Sequence, residues 1–82
     1  MPRVILYRDY NFQGPTKEVT TATDLRDFND ETSSIVVLEG NWQFFANYNF
    51  DELRATLIPG VYPSVDAIGI ANDTLSSLRP LN

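Results

Sequence analysis

Short apolar runs separated by turn-forming clusters organise this chain. Val4-Ile5-Leu6-Tyr7 is β-branched and aromatic and predicts a strand. Asp9-Tyr10-Asn11-Phe12-Gln13-Gly14-Pro15 combines Asn, Gly and Pro and predicts a turn or a folded hairpin. Thr16 to Thr21 alternates weakly, as a strand with one wet face does. Thr23 to Asp30 is polar and acidic with Leu25 and Phe28 as anchors, which fits a loop with one helical turn. Ser34-Ile35-Val36-Val37-Leu38 is the clearest strand, Glu39-Gly40-Asn41 a tight turn, and Trp42-Gln43-Phe44-Phe45-Ala46 opens a second series.

The second series repeats the first. Tyr7 and Phe12 are five apart, and so are Phe45 and Phe50. Asn29-Asp30-Glu31-Thr32-Ser33-Ser34 returns as Asn72-Asp73-Thr74-Leu75-Ser76-Ser77, followed by Ile35 in one copy and Leu78 in the other. The aromatic pairs are offset by 38 positions and the hexapeptides by 43, so the second copy carries five extra residues in its long loop. Two copies of one supersecondary unit, each too small to bury a face alone, predict a packed sandwich. Asn49 to Ile58 competes with that reading. Asn49 and Glu52 resemble a capping box, and Phe50, Leu53 and Leu57 share a helical face. Leu53, Ala55 and Leu57 also alternate as in a strand, and the matching segment Pro15 to Thr20 is not helical. The repeat therefore favours a strand.

Composition narrows the function. The 82 residues suffice for one domain, 1–82, divided into halves of about 1–40 and 41–82. With no cysteine there is no disulfide, thiolate metal site or cysteine nucleophile, and with no histidine the usual general base is missing. A net charge of −5 argues against nucleic acid and leaves a cation as a reasonable partner. No apolar run reaches the roughly 20 residues of a membrane span, and Met1 to Leu6 is too short for a signal core. If the protein is secreted or part of a larger extracellular one, the signal is expected to have been removed; the sequence does not place the compartment.

Tyr7-xxxx-Phe12-x-Gly14 followed by the hexapeptide resembles the Greek-key signature of the βγ-crystallins, of the calcium-binding, single-domain, microbial or non-lens type. The hexapeptide resembles that family's calcium motif, Asn/Asp-Asn/Asp-x-x-Ser/Thr-Ser, and both copies carry it. The resemblance covers essentially the whole chain. It implies an all-β fold, a sandwich of two Greek-key motifs built as two four-stranded antiparallel sheets. Tyr62 looks like the family's tyrosine corner and Trp42 like its buried core tryptophan. The hairpin glycine of the family takes a conformation that a Cβ disfavours. Gly14 fits it; the matching position in the second copy is Glu52, a departure. A non-glycine residue at positive φ costs on the order of 1 kcal/mol, so two unequal sites are expected.

By the same resemblance the chain holds two Ca²⁺ ions. Calcium prefers six to eight oxygens at about 2.3–2.6 Å, and the hexapeptides offer oxygen and nothing softer. Without His or Cys, zinc and copper lose their preferred ligands. The implied arrangement is reciprocal. Asp30 and Ser76 meet at one ion, and Asp73 and Ser33 at the other. The carbonyls of Glu31, Thr74, Arg8 and Ala46 add ligands, while Asn29 and Asn72 shape the turns. Modest affinity, on the order of micromolar, is expected from so few charged ligands.

Plainer readings stand beside this one. Asn-Asp-x-x-Ser-Ser alone is an ordinary polar turn before a strand. The four hairpin aromatics read as packing, and Trp42 as a sugar-stacking platform is the weaker alternative. Asp9, Asp24, Asp27 and Asp66 read as solvated loop charges. Asp51 and Glu52, as strand neighbours, are expected to face opposite sides, so they make no acid-base pair. Asn72-Asp73-Thr74 is formally a glycosylation sequon, read as coincidence. No catalytic constellation is present, so the expected class is a calcium-stabilised binding module, monomeric, with no identifiable protein partner. The alternatives are a structural crystallin-like protein without calcium and an interaction module such as a protease inhibitor or adhesion unit.

Overall fold

The chain forms eight strands: β1 (Arg3–Asp9), β2 (Gln13–Val19), β3 (Thr23–Asp24), β4 (Ser34–Glu39), β5 (Trp42–Asn47), β6 (Asp51–Leu57), β7 (Gly60–Tyr62) and β8 (Ser77–Pro80). A 3-10 helix, Val65–Ile68, lies between β7 and β8. The structure is a computed structural model and describes residues 1–28, 30–71 and 74–81.

The strands form two four-stranded antiparallel sheets, ordered β2-β1-β4-β7 and β3-β8-β5-β6. Each half gives its third strand to the other half's sheet. Thr23 of β3 pairs with Leu78, and Val61 of β7 pairs with Val36. This exchange ties the halves together by backbone hydrogen bonds as well as by the core. Along β1, Val4 and Leu6 are fully buried while Ile5 and Tyr7 are partly exposed. Leu6 and Ile35 of one sheet and Phe44 and Leu78 of the other belong to a single buried cluster. Burying side chains of this size contributes about 1.5–3 kcal/mol each. Trp42 is fully buried, and its Nε1 donates to the carbonyl of Glu39 at 3.1 Å. That burial removes it as a sugar platform. The Tyr62 hydroxyl donates to the carbonyl of Ile58 at 2.6 Å, closing the corner that the resemblance implied.

Asp51–Leu57 is a strand, as the repeat requires. The segment after Thr21 departs from expectation. Thr23–Asp24 is a short strand, and a single turn rather than a helix follows it, in which the Phe28 amide donates to the Leu25 carbonyl at 3.2 Å. Its residues are taken up by pairing with β8, and the Leu25 amide donates to the Ser76 carbonyl at 2.8 Å. A 3-10 helix lies in the second copy, where ten positions separate Tyr62 from Asn72 against five from Asp24 to Asn29. The five extra residues are the room that the 3-10 helix needs. Among the described residues, no helix is long and apolar enough to cross a membrane.

Candidate metal centre

The two hairpins place the hexapeptides. In each, an edge-to-face aromatic pair folds the turn back: Tyr7 and Phe12 with centroids 5.6 Å apart, Phe45 and Phe50 with centroids 5.8 Å apart, both at 71°. Folding back forces consecutive residues into the left-handed region, Asn11 and Phe12 at φ 57° and 62°, Asn49 and Phe50 at 59° and 57°. A phenylalanine there is strained. The last serine of each hexapeptide offsets that strain. Ser34 Oγ accepts from the Phe12 amide at 3.0 Å and donates to the Asp9 carbonyl at 2.6 Å. Ser77 Oγ accepts from the Phe50 amide at 3.2 Å and donates to the Asn47 carbonyl at 2.6 Å.

Gly14 and Glu52 both have positive φ, 79° and 63°, so the second hairpin keeps the family geometry with a side chain in it. A Cβ on Gly14 would lie 2.5 Å from Asp9 Oδ2. The residue matching Asp9 is Asn47, whose Nδ2 donates to Asp51 Oδ2 at 3.2 Å and Glu52 Oε2 at 3.5 Å. Asp51 and Glu52 therefore do not face opposite sides as strand alternation predicts. The left-handed conformation of Glu52 breaks the alternation.

Each hexapeptide is sewn to the opposite half of the molecule or to its own hairpin by backbone bonds. The Ser33 amide donates to the Tyr7 carbonyl at 2.8 Å, and the Ser33 carbonyl accepts from Val65 at 2.9 Å. The Ser76 amide donates to the Phe45 carbonyl at 3.0 Å, and the Asp30 amide to the Leu75 carbonyl at 3.1 Å. Asp30 sits at φ 57°, a conformation that Asp tolerates better than most residues. Its Oδ1 lies 3.4 Å from Ser76 Oγ. These two residues, with Ala46, Asn47, Arg54, Gly69, Ala71 and Thr74, line an open cavity of about 510 Å³. Its lining includes the Asp30 carboxylate and the buried Ser76 hydroxyl, oxygen donors that suit a hard cation.

Of the residues anticipated from the sequence, Asp30, Ala46, Thr74 and Ser76 meet around this cavity. Ser33 is buried beside Arg8 through its bond to Tyr7, and Glu31 is partly buried next to Asp30. Asn29, Asn72 and Asp73 lie outside the described residues, and with them the sequon and the pairing of Asp73 with Ser33. Among the described residues, no group of three or more His, Cys, Asp or Glu side chains comes together.

Several functional contacts escaped the sequence reading. Ser34 and Ser77 read as the ends of motifs, yet they clamp the hairpins; their presence at the same place in both copies was the available signal. The acidic residues taken for solvated charges have partners. Asp24 Oδ1 accepts from the Asn49 amide at 2.9 Å, and Asp66 Oδ2 from the Tyr10 hydroxyl at 2.6 Å, so each hairpin tip is tethered to the other half, one at β3 and one at the 3-10 helix. Asp27 accepts from Lys17 Nζ at 3.0 Å, and Asp9 lies 3.7 Å from Arg8 Nε.

Residues 3–81 match the family model described as Beta/Gamma crystallin. The β/γ-crystallin of Ciona intestinalis is 35% identical over 82 residues, covering 96% of this chain and 98% of that protein. A solved βγ-crystallin from Ciona intestinalis superposes with a TM-score of 0.91 at 37% identity, covering 95% of this chain and 98% of the other. One from an archaeon gives 0.90 at 34% identity, with 98% of each chain covered. A transition-metal-ion-binding βγ-crystallin from Methanosaeta thermophila gives 0.84 at 30%, covering 95% and 99%.

Proposed function

This chain belongs to the beta/gamma crystallin family, and from that premise we propose that it is a non-enzymatic calcium-binding module that holds two ions and is stabilised by them. The observation that carries the reading is the approach of Asp30 Oδ1 to Ser76 Oγ at 3.4 Å, which joins the two hexapeptides across 46 positions of chain. Asp30 supplies charge and Ser76 a hydroxyl, while Ala46 and Thr74 line the same cavity and have carbonyl oxygens to offer. Ser33, Arg8, Glu31 and Asp73 make up the second site by the repeat. Asn29 and Asn72 shape the turns.

The donor chemistry selects the ion. The Methanosaeta relative binds transition-metal ions, but this chain has neither His nor Cys. An oxygen set with carboxylate, hydroxyl and carbonyl members favours calcium, and magnesium would require a tighter octahedron. Bound calcium would bridge the two halves at the end of the sandwich where the hairpins meet the hexapeptides. It would neutralise the acidic end of a chain with net charge −5.

Binding to the folded state alone stabilises it by about 2.7 kcal/mol per site when free calcium is 100-fold above the dissociation constant. In a domain of this size that raises Tm by roughly 10–20 °C per site. Thermal unfolding of EDTA-stripped protein with and without calcium tests the proposal, with magnesium as control. A folded apo protein whose Tm calcium leaves unchanged would contradict it and favour the structural reading.

A further inference from the structure

We propose that Arg54 makes the two calcium sites unequal, by setting a fixed positive charge against the Asp30–Ser76 site alone. The inference rests on the calcium reading of that site and adds a tuning residue to it.

Strand register provides the first observation. In the first half, Leu6 pairs with Lys17 and Tyr7 with Thr16, and the register shifts only after that pair, between Tyr7 and Asp9. In the second, Phe44 pairs with Ala55 and Phe45 with Leu53, so Arg54 is passed over and bulges out of the ladder. A bulge re-aims the side chain that it carries. The position matching Arg54 in the first half is Thr16, an uncharged residue held in a regular pair.

The bulge is held from both sides. A Cβ on Gly69 would come within 3.4 Å of the Arg54 carbonyl, and Gly69, at φ 91°, ends the 3-10 helix of the second copy. On the other side Arg54 Nη2 donates to Glu52 Oε2 at 3.2 Å, and Glu52 accepts from Asn47, itself on the cavity wall. Arg54 thus lines the Asp30 cavity while its charge is partly offset by Glu52, the residue that replaces the motif glycine. The two departures of the second half, Glu52 for glycine and Arg54 for threonine, form one ion pair at one site.

A cation near a divalent ion opposes its binding, by an amount that falls with distance and with salt. The experiment is a two-site calorimetric titration with calcium of the unsubstituted protein and of Arg54→Thr, Arg54→Lys, Glu52→Gln and Asp30→Ser/Arg54→Thr, each at about 20 mM and about 0.5 M salt. Arg54→Thr should tighten one site about three- to tenfold at low salt and leave the other unchanged. The gain should shrink at high salt. Arg54→Lys should keep the original affinities, and Glu52→Gln should weaken the same site. Adding Asp30→Ser should abolish the site that Arg54→Thr tightened. If two sites bind but Arg54→Thr moves neither, or moves both alike, or if the tightened site survives Asp30→Ser, the proposal is overturned while the calcium reading stands. No calcium heat from the unsubstituted protein overturns the calcium reading, and this one with it.

Discussion

Ser34 and Ser77, 43 positions apart, make the same pair of hydrogen bonds in the two halves: each hydroxyl accepts from the amide of a left-handed phenylalanine and donates to the carbonyl three residues before it. Both serines are fully buried. Ser34→Ala and Ser77→Ala each leave a part-buried amide and carbonyl without their partner, which costs about 1–2 kcal/mol. Urea unfolding in EDTA should give lower midpoints for both, by similar amounts, because the two clamps are alike.

Glu52→Gly should remove left-handed strain and Gly14→Ala should create it. The first gains up to about 1 kcal/mol, reduced by the entropy of glycine and by loss of an exposed ion pair. The second adds a Cβ at φ 79° within 2.5 Å of Asp9 Oδ2 and should cost more than the first gains. Thermal melts of the two variants in EDTA should move in opposite directions.

Thr32 is fully buried, and its Oγ1 has no hydrogen-bond partner among the described residues. The matching residue in the second hexapeptide is the fully buried Leu75. Burying an unpaired hydroxyl is unfavourable, so Thr32→Val should raise stability by about 1 kcal/mol. Denaturant midpoints of the two proteins decide it; a fall would assign the hydroxyl a partner.

Lys17 holds the Asp27 carboxyl below its ordinary value of 3.8, first through the hydrogen bond to its Nζ and to a smaller extent by charge. A carboxyl depressed in the folded state contributes stability above its unfolded pKa and loses it as pH falls through the folded one. Lys17→Gln should therefore raise the Asp27 midpoint in an NMR titration and flatten the fall of stability below about pH 4.

The strands were legible where apolar, β-branched or aromatic residues run for four positions or more, as in Val4 to Tyr7 and Ile35 to Leu38. The left-handed Glu52 was legible from the repeat, because Gly14 showed what that position requires. Thr23–Asp24 was not legible, since two residues carry no period and their strand exists only through Ser77 and Leu78. The Arg54 bulge was hidden for a related reason: it is a property of the register between β5 and β6, and it packs against Gly69, fifteen residues later in the chain. Asp24 and Asp66 looked like solvent charges because their partners, Asn49 and Tyr10, come from the opposite half. Local pattern thus located the candidate oxygen donors, and the sheet exchange decided which of the described ones meet.

Calorimetric titration of EDTA-stripped protein with calcium, against a magnesium control and Asp30→Ser, tests the central claim most directly. The account predicts heat that saturates near two ions per chain, and one fewer in Asp30→Ser. No heat in a folded protein, with an unchanged melt, would contradict it.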